Sequence, residues 1–383
     1  MDIKPAPRTW RSTQYVNGKI WTGNKREPWA DAIVVREGRI TAIGSLSVLH
    51  QSVDVEVDTV DLGGRLVIPG FHDAHIHLLA SGLKFRTECR LTANALADQV
   101  VKDICQCQMC RNGKLSDWIV GGEINPNIYE PGTFDRSFLD AAFPDRPVYL
   151  YDYTTHHALV NSKALNLAGI DAETDDPFGG RYVRRAGSRE PTGELVERGS
   201  WAVKRVIPPY SDEVYMDALR WAVGIANKFG ITSVQEASAS LPELKGLNVL
   251  DQEGQLSLHV AAHVVWREEA YGGDTCDRLE ELIRRRDEFA SEHVRTQFVK
   301  CWLDGAPLPP HFTHSGLNED GGIDTSKIQI PFEDLVEMLI RLDREGTTLK
   351  IHCAGMGAVR HALNALEAMR KANGDAGPLH EIA

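Results

Sequence analysis

The second half of the sequence alternates short apolar runs with helical patterns, and this alternation limits the fold more than any other feature. Between residues 214 and 229 apolar side chains return every three or four positions, and the pattern stops at Gly230, as expected where a helix ends. Short apolar runs that predict strands begin at Ile231, Leu258, Phe298 and Leu349. Strands joined by crossover helices form parallel sheets, so the pattern predicts the α/β class.

Residues 1–68 show a different pattern, in which short strands are separated by turns. The turn dipeptide Asn17-Gly18 lies between two apolar runs, and Glu37-Gly38 repeats the arrangement. Residues 53–60 place valine at every second position among mostly acidic residues, as in a half-buried strand. We predict that residues 1–68 form a small antiparallel β domain, similar to a β-sandwich.

Residues 85–212 fit neither pattern. They contain one helical stretch at residues 95–111, short apolar runs at 118–120 and 148–150, and a segment rich in glycine and arginine at 179–193 that predicts a loop. We therefore interpret residues 85–212 as an insertion between residues 69–84 and the α/β region at 213–383.

The charge of the chain limits its partners. Lysine and arginine number 42 against 54 aspartates and glutamates, a formal net charge of −12. Nucleic acids and anionic membrane surfaces bind clustered positive charge, so neither partner is expected. No apolar stretch reaches the roughly 18 residues of a membrane-spanning helix.

The cysteines and the first residues predict a cytoplasmic location. The seven cysteines are an odd number, unlike a secreted disulfide framework, and residues 1–10 lack the order of a signal peptide. Cys105, Cys107 and Cys110 follow a helical pattern and, with Cys89, lack the paired spacing of most zinc sites. We expect free thiols there.

His75 and His77 carry the strongest chemical signal. They are two residues apart at the end of an apolar run that follows Pro69-Gly70, so on a strand both side chains point to the same face. Two neutral imidazoles at this spacing can bind one divalent metal. The ordinary alternative is a pair of surface or core histidines without a ligand.

The segment from Leu62 to His77 resembles the amidohydrolase superfamily of metal-dependent hydrolases, in the branch that contains N-substituted formamide deformylase. Further matches lie in the expected order at residues 15–21, 144–148, 157–165, 191–195, 299–305 and 351–355. The resemblance implies a (β/α)₈ TIM-like barrel with a small N-terminal β domain. His75 and His77 would lie on barrel strand 1, the four runs named above would be strands 2–5, and the insertion would follow strand 1.

The resemblance also assigns further residues. Lys300 matches the strand-4 lysine that, when carboxylated by CO₂, bridges two metals; the alternative is a lysine paired with a carboxylate such as Asp304 or Glu236. His352 matches the strand-5 ligand of the second metal. His157 and Asp304 are predicted to contact substrate. The cofactor implied is one or two divalent metals, with Zn²⁺ as the expected ion.

The implied reaction is hydrolysis of a C–N bond in a small amide or formamide. The family's strand-6 histidine and catalytic strand-8 aspartate have no counterpart before Ala383, and about five strands leave the barrel incomplete. We therefore expect a truncated chain with little or no hydrolase activity, whose catalytic residue is unknown. Two alternatives remain: a non-catalytic homologue that acts through homo-oligomerisation, and a deaminase or decarboxylase on the same barrel.

Overall fold

A computed structural model describes residues 12–49, 57–111 and 117–383 of the chain. Residues 1–10, which bear on the predicted location, and residues 53–56 of the predicted strand at 53–60 lie outside this range. The chain divides into two compact units, residues 1–71 and 72–383.

The first unit contains two small sheets and one short helix. Its elements are β1 (Ser12–Val16), β2 (Lys19–Trp21), β3 (Trp29–Ala30), β4 (Ala32–Arg36), β5 (Arg39–Gly44), α1 (Leu46–Leu49), β6 (Val57–Asp61) and β7 (Leu66–Val67). The sheet orders are β5-β4-β1-β6 and β3-β2-β7. Strand β1 pairs in parallel with β6, and β2 with β7, whereas the other pairs are antiparallel.

The predicted antiparallel arrangement is therefore wrong for two of the five strand pairs. Turn dipeptides identify hairpins between neighbouring strands, and β4 and β5 do form one. Strands β6 and β7 come back to β1 and β2 from farther along the chain, and the direction of such a pairing leaves no local signal in the sequence.

The second unit is built on a six-stranded half-barrel. Its strands are β8 (Phe71–Ile76), β15 (Ile231–Ala239), β16 (His259–Val265), β17 (Val294–Trp302), β18 (Thr348–His352) and β19 (Glu381–Ile382), in the spatial order β19-β18-β17-β16-β15-β8. The pairs from β15 to β19 are all parallel. The predicted α/β class and the five predicted strand positions are confirmed.

Amphipathic helices cover this sheet. They are α2 (Leu78–Arg86), α8 (Asp212–Lys228), α9 (Leu241–Gln252), α10 (Glu269–Gly272), α11 (Cys276–Arg284), α12 (Phe332–Arg344) and α13 (Met356–Asn373). In α12 the buried residues Leu335, Met338, Leu339 and Leu342 recur every three or four positions, so one stripe of the helix faces the core. The connections also contain 3₁₀ turns at Arg286–Phe289 and Thr325–Lys327.

Residues between α2 and α8 form a second, mixed sheet. Its strands are β9 (Cys89–Arg90), β10 (Ile119–Ile124), β11 (Val148–Asp152), β12 (His157–Val160), β13 (Gly180–Arg184) and β14 (Pro191–Glu197), ordered β13-β14-β12-β11-β10-β9. Its helices are α3 (Ala97–Gln106), α4 (Gln108–Arg111), α5 (Ser137–Ala142), α6 (Ser162–Ala168) and α7 (Trp201–Val206), with 3₁₀ turns at Pro126–Ile128 and Arg198–Ser200.

Two predictions within this segment need correction. The helix expected over residues 95–111 is broken at Cys107, whose backbone is extended. The loop expected at 179–193 is instead largely a β-hairpin, β13 paired antiparallel with β14. Gly187, with φ +69°, lies in its turn, where a residue without Cβ adopts the left-handed conformation readily.

Within the described ranges, every helix is too short or too polar to cross a membrane.

Candidate metal centre

His75 and His77 lie at the end of β8, where the strand passes into α2. Their ring centroids are 5.5 Å apart. Partial burial and the positive charges of Lys300 and Lys350 lower the pKa of His75 to about 4. Burial, His75 and the same two lysines also lower the pKa of His77 to about 4. Both imidazoles are therefore neutral at pH 7, which is the form that binds a metal.

A hydrogen-bonded chain behind His77 fixes its orientation. His77 Nδ1 lies 2.7 Å from Ser238 Oγ, and that hydroxyl lies 3.2 Å from Glu236 Oε1, to which it donates. The hydroxyl proton is committed to the carboxylate, so Nδ1 carries the proton of the imidazole and donates to Oγ. The lone pair of Nε2 is then left for a ligand.

Glu236 also anchors the backbone beside this histidine. It is fully buried, and its carboxylate accepts hydrogen bonds from the backbone N–H groups of Leu78 and Ser238. Glu243 accepts from the next N–H of α2, that of Leu79, at 3.0 Å. Burial raises the pKa of Glu236 to about 7. The start of α2 is thus fixed by two buried carboxyl groups.

Lys300 lies on β17 with no exposed surface, and its Nζ has no hydrogen-bond partner in the described parts of the chain. Its Nζ is 5.1 Å from the centroid of the Trp302 ring. Burial is the main cause of a pKa lowered to about 8, and the neighbouring charge of Lys350 lowers it further. A buried ammonium without a partner is costly, so this position favours a neutral or modified amine.

Lys350, the partner of Lys300 in the β17–β18 ladder, has a different environment. Its Nζ donates to the carbonyl of Ala74 at 2.8 Å and to Gln235, and lies 3.1 Å from Glu381 Oε2. Two lysines are therefore adjacent on one face of the sheet, and only Lys350 is satisfied by hydrogen bonds.

The carboxylates considered as partners of Lys300 are engaged elsewhere. Asp304, which is fully buried, accepts three backbone hydrogen bonds, from Ser315, Ala354 and Gly355, each at 2.9 Å. Glu236 is held by the start of α2, as described above. The predicted alternative, a Lys300 paired with either carboxylate, is not observed.

His352 ends β18, two strands of the sheet away from β16. Its Nε2 is buried without a hydrogen-bond partner in the described residues. Burial and the charge of Lys300 lower the pKa of His352 to about 3. Lys300 thus acts electrostatically on all three predicted histidine ligands.

The three histidines do not form one compact ligand set. In the described residues, the ring nitrogens of His75, His77 and His352 do not all lie within 4.8 Å of one another. The arrangement fits two cation positions, one beside His75 and His77 and one beside His352, with Lys300 between them. A carbamate on Lys300 would supply the two oxygens needed to join them.

The predicted substrate contacts have different surroundings. The Asp304 carboxylate holds loops together through its three backbone hydrogen bonds. His157 is 2% exposed, and its Nδ1 lies 3.2 Å from Asp152 Oδ2. Its Nε2 has no partner among the described residues. The substrate-binding roles of His157 and Asp304 stay predictions.

The neighbouring residue, His156, was missed by the sequence analysis. Its ring centroid lies 5.7 Å from that of His352 and 6.2 Å from that of Tyr271. Its Nδ1 is 2.9 Å from Glu197 Oε2. Burial lowers the pKa of His156, but the hydrogen bond and charge of Glu197 outweigh burial and raise it above the ordinary 6.5.

Glu197 has a backbone conformation that no sequence pattern signals. It follows β14 with φ 50° and ψ −124°, which is uncommon for a residue with a Cβ. Together with His156, it lines a small cleft whose other wall includes Tyr271, Trp302 and Gln329. The insertion therefore supplies one wall of the cleft and the half-barrel the other.

His263 on β16 was also missed. It is fully buried, and its Nδ1 lies 3.0 Å from the carbonyl oxygen of Glu236. Its Nε2 has no partner in the described residues, and burial and Lys350 lower its pKa to about 3. The apolar run 258–265 suggested a buried strand and gave no reason to separate this histidine from the core.

The fold and these side chains define a half-barrel of parallel strands with neutral histidines and a buried lysine near the strand ends. The amidohydrolase family pattern matches residues 58–382. The chain belongs to the amidohydrolase family, which confirms the predicted resemblance.

Curated relatives match nearly the whole chain. Protein LONG AFTER FAR-RED 3 of Arabidopsis thaliana is 30% identical over 376 residues, 94% of this chain and 61% of the relative. The putative amidohydrolase YtcJ of Bacillus subtilis is 29% identical, over 93% of this chain and 66% of the relative. N-substituted formamide deformylase of Arthrobacter pascens is 27% identical, over 94% and 66%. The chain thus spans 61–66% of the length of these relatives.

Two solved structures share the fold. An uncharacterized metal-dependent hydrolase from Pyrococcus furiosus superposes with a TM-score of 0.65 at 22% identity, covering 94% of this chain and 70% of that one. One from Pyrococcus horikoshii OT3 gives 0.68 at 21% identity, covering 93% and 68%.

Proposed function

We propose that this protein is a metal-dependent hydrolase that cleaves a non-peptide C–N bond in a small amide or formamide. Membership of the amidohydrolase family supports this proposal, as does similarity to a relative named for deformylation of N-substituted formamides. The observation that carries it is Lys300, buried without a partner between three histidines whose imidazoles are neutral.

The proposed cofactor is one or two divalent cations, with Zn²⁺ as the expected ion. His75 and His77 would hold one and His352 the other, and carboxylated Lys300 would join them. Carboxylation requires the neutral amine, whose Nζ forms a bond to the carbon of CO₂ and releases one proton to solvent. Burial lowers the pKa of Lys300 to about 8, which makes the neutral amine accessible near neutral pH.

A divalent cation bound there would supply a Lewis acid for the substrate carbonyl and an activated water. The chain's own residues contribute orientation and charge. Ser238 and Glu236 hold His77 with Nε2 free, and the wall of the insertion presents His156. With Nδ1 committed to Glu197 and its pKa raised, His156 would donate from Nε2 to a polar group of the bound substrate.

Metal analysis tests the proposal directly. We expect the His75→Ala/His77→Ala variant to bind fewer equivalents of Zn²⁺ than the wild-type protein, measured by mass spectrometry of the dialysed protein. His72→Ala is the matched control, because His72 lies on the same strand but bonds Ser233 at 2.8 Å. Equal metal content in all three proteins would contradict the proposal.

Product analysis separates the proposed reaction from its alternatives. Hydrolysis of a formamide releases formate and an amine, whereas a deaminase releases ammonia and a decarboxylase releases CO₂. We predict little or no turnover by these 383 residues alone. Measurable turnover by the purified chain would contradict this prediction, and the product would identify the reaction.

A cytoplasmic location and a homo-oligomeric state are likewise proposed. Fractionation of cells and light scattering of the purified chain test them.

A further inference from the structure

Three cysteine thiols converge in the insertion, away from the residues assigned to the metal centre. Cys89 lies on β9, Cys107 between α3 and α4, and Cys110 in α4. Their Sγ atoms all lie within 4.8 Å of one another. Cys89 is 1% exposed and Cys110 9% exposed. In residues 12–49, 57–111 and 117–383, this is the one group of three or more cysteine, histidine or acidic side chains with so close a spacing.

The fold, not the local sequence, brings these thiols together. Cys89 is 18 residues before Cys107 and reaches it because β9 forms the edge of the second sheet beside β10. Gly121 of β10 pairs with Cys89, and a Cβ at Gly121 would collide with the carbonyl oxygen and Cβ of Cys89. The extended backbone of Cys107 separates α3 from α4 at the same place.

The spacing fits a metal bound by three thiolates. With Zn–S bonds of about 2.3 Å, sulfur atoms around one zinc ion are separated by about 3.8–4.0 Å. Sulfur atoms already within 4.8 Å need to move by at most about 1 Å, which small side-chain rotations supply. A disulfide would use only two of the three and needs sulfur atoms about 2.0 Å apart.

The donor set selects the class of ion. The group contains only sulfur, which favours soft cations such as Zn²⁺ or Cu⁺ over Mg²⁺ or Ca²⁺. Hydrogen bonds from Cys89 and Cys107 and the positive charge of Arg146 lower the pKa of Cys110 to about 7, despite burial. A thiolate is therefore accessible at neutral pH, before any cation binds.

We propose that Cys89, Cys107 and Cys110 form a thiolate site for a soft cation, with Zn²⁺ as the probe, and that this cation ties the edge strand β9 to the α3–α4 segment. The fourth position of the ion is open to water or a small ligand. The site is independent of the proposed hydrolase function, since none of the three cysteines touches the residues assigned to it.

Cobalt substitution tests the proposal in the full chain. The His75→Ala/His77→Ala background removes ligands of the other centre, so that a Co²⁺ signal there cannot be mistaken for this one. We expect one equivalent of Co²⁺ to produce a thiolate-to-cobalt charge-transfer absorption, which Zn²⁺ then abolishes. The absorption should be lost in Cys110→Ser and in Cys107→Ser, and kept in Cys105→Ser, an exposed cysteine of the same segment.

A second measurement needs no substitution. Zn²⁺ should slow alkylation of Cys89, Cys107 and Cys110 by at least tenfold relative to the metal-free protein, mapped by peptide mass spectrometry, and leave Cys105 unchanged. Absence of the charge-transfer absorption, its survival when all three cysteines are replaced, or equal alkylation with and without Zn²⁺ would each overturn the proposal. Because this site has sulfur ligands only, failure here leaves the metal analysis of the histidine centre unaffected.

Discussion

Replacing Ser238 with alanine tests whether the hydrogen bonds behind His77 determine how tightly the metal centre binds its ion. Ser238 Oγ accepts from His77 Nδ1 at 2.7 Å and donates to Glu236. The substitution removes both bonds and leaves the imidazole free to rotate or to change tautomer. The backbone N–H of Ser238 still donates to Glu236, so the strand end keeps its anchor.

The size of the effect follows from the exposure of His77. A buried Nδ1–H without a partner costs about 1–3 kcal/mol, and outer-shell substitutions typically weaken metal binding by about 10–100-fold. The His77 side chain is 37% exposed, so water partly replaces the lost hydroxyl. We therefore expect the metal Kd to rise about tenfold, at the lower end of that range, while the free energy of unfolding falls by less than about 1 kcal/mol.

A competition titration with a chromogenic chelator measures this change, and Ser233→Ala is the matched control. His72 and Ser233 form the same kind of pair between the same two strands, 2.8 Å apart and with the same sequence separation of 161. That pair lies away from the predicted ligands, so the control should change the Kd by less than about twofold. An unchanged Kd in Ser238→Ala, or an equal loss in both variants, would refute the reasoning.

Two further predictions concern charges near the centre. Lys300→Met should stabilise the metal-free protein in CO₂-free buffer by about 3 kcal/mol at pH 7, because a pKa lowered from 10.5 to about 8 corresponds to that cost of burying the ammonium. In urea titrations this gain should shrink as pH rises from 8 to 10.5, where the wild-type amine loses its charge; a destabilised variant would show that the ammonium has a partner. Glu197→Gln should bring the pKa of His156 below 6.5, measured from its ring protons by NMR, since burial then acts unopposed. The raised pKa of His156 and the lowered pKa of Glu197 confine the stabilisation by this pair to a window between about pH 4.5 and 6.5, lost above it as His156 deprotonates and below it as Glu197 is protonated; a pH-independent difference in unfolding free energy would contradict this assignment.

The half-barrel was predictable because its strands and helices have strong local patterns. The stripe of α12 and the buried runs of β15 to β18 record in the sequence which faces meet the core. Parallel strands joined by crossover helices end on one edge of a sheet. The sequence therefore indicated that His77, Lys300 and His352 lie near one another before any coordinates did.

Features that depend on pairing between distant segments were not predictable in the same way. The parallel pairing of β1 with β6, and the hairpin of β13 and β14, leave no periodic signal that separates them from other strands or loops. The same holds for His156 and Glu197, which look like ordinary polar residues of an insertion until the insertion folds against the half-barrel.

The sequence by itself determined the class of fold, the order of the barrel strands and the candidate ligands at their ends, because the period of apolar residues is a local property set by which side of each element is buried. Only the tertiary structure decided which of two adjacent buried lysines is left without a partner, which wall faces His352, and that Cys89 meets Cys107 and Cys110. Those outcomes depend on contacts between residues far apart in the chain, whose energies arise only when the segments pack together.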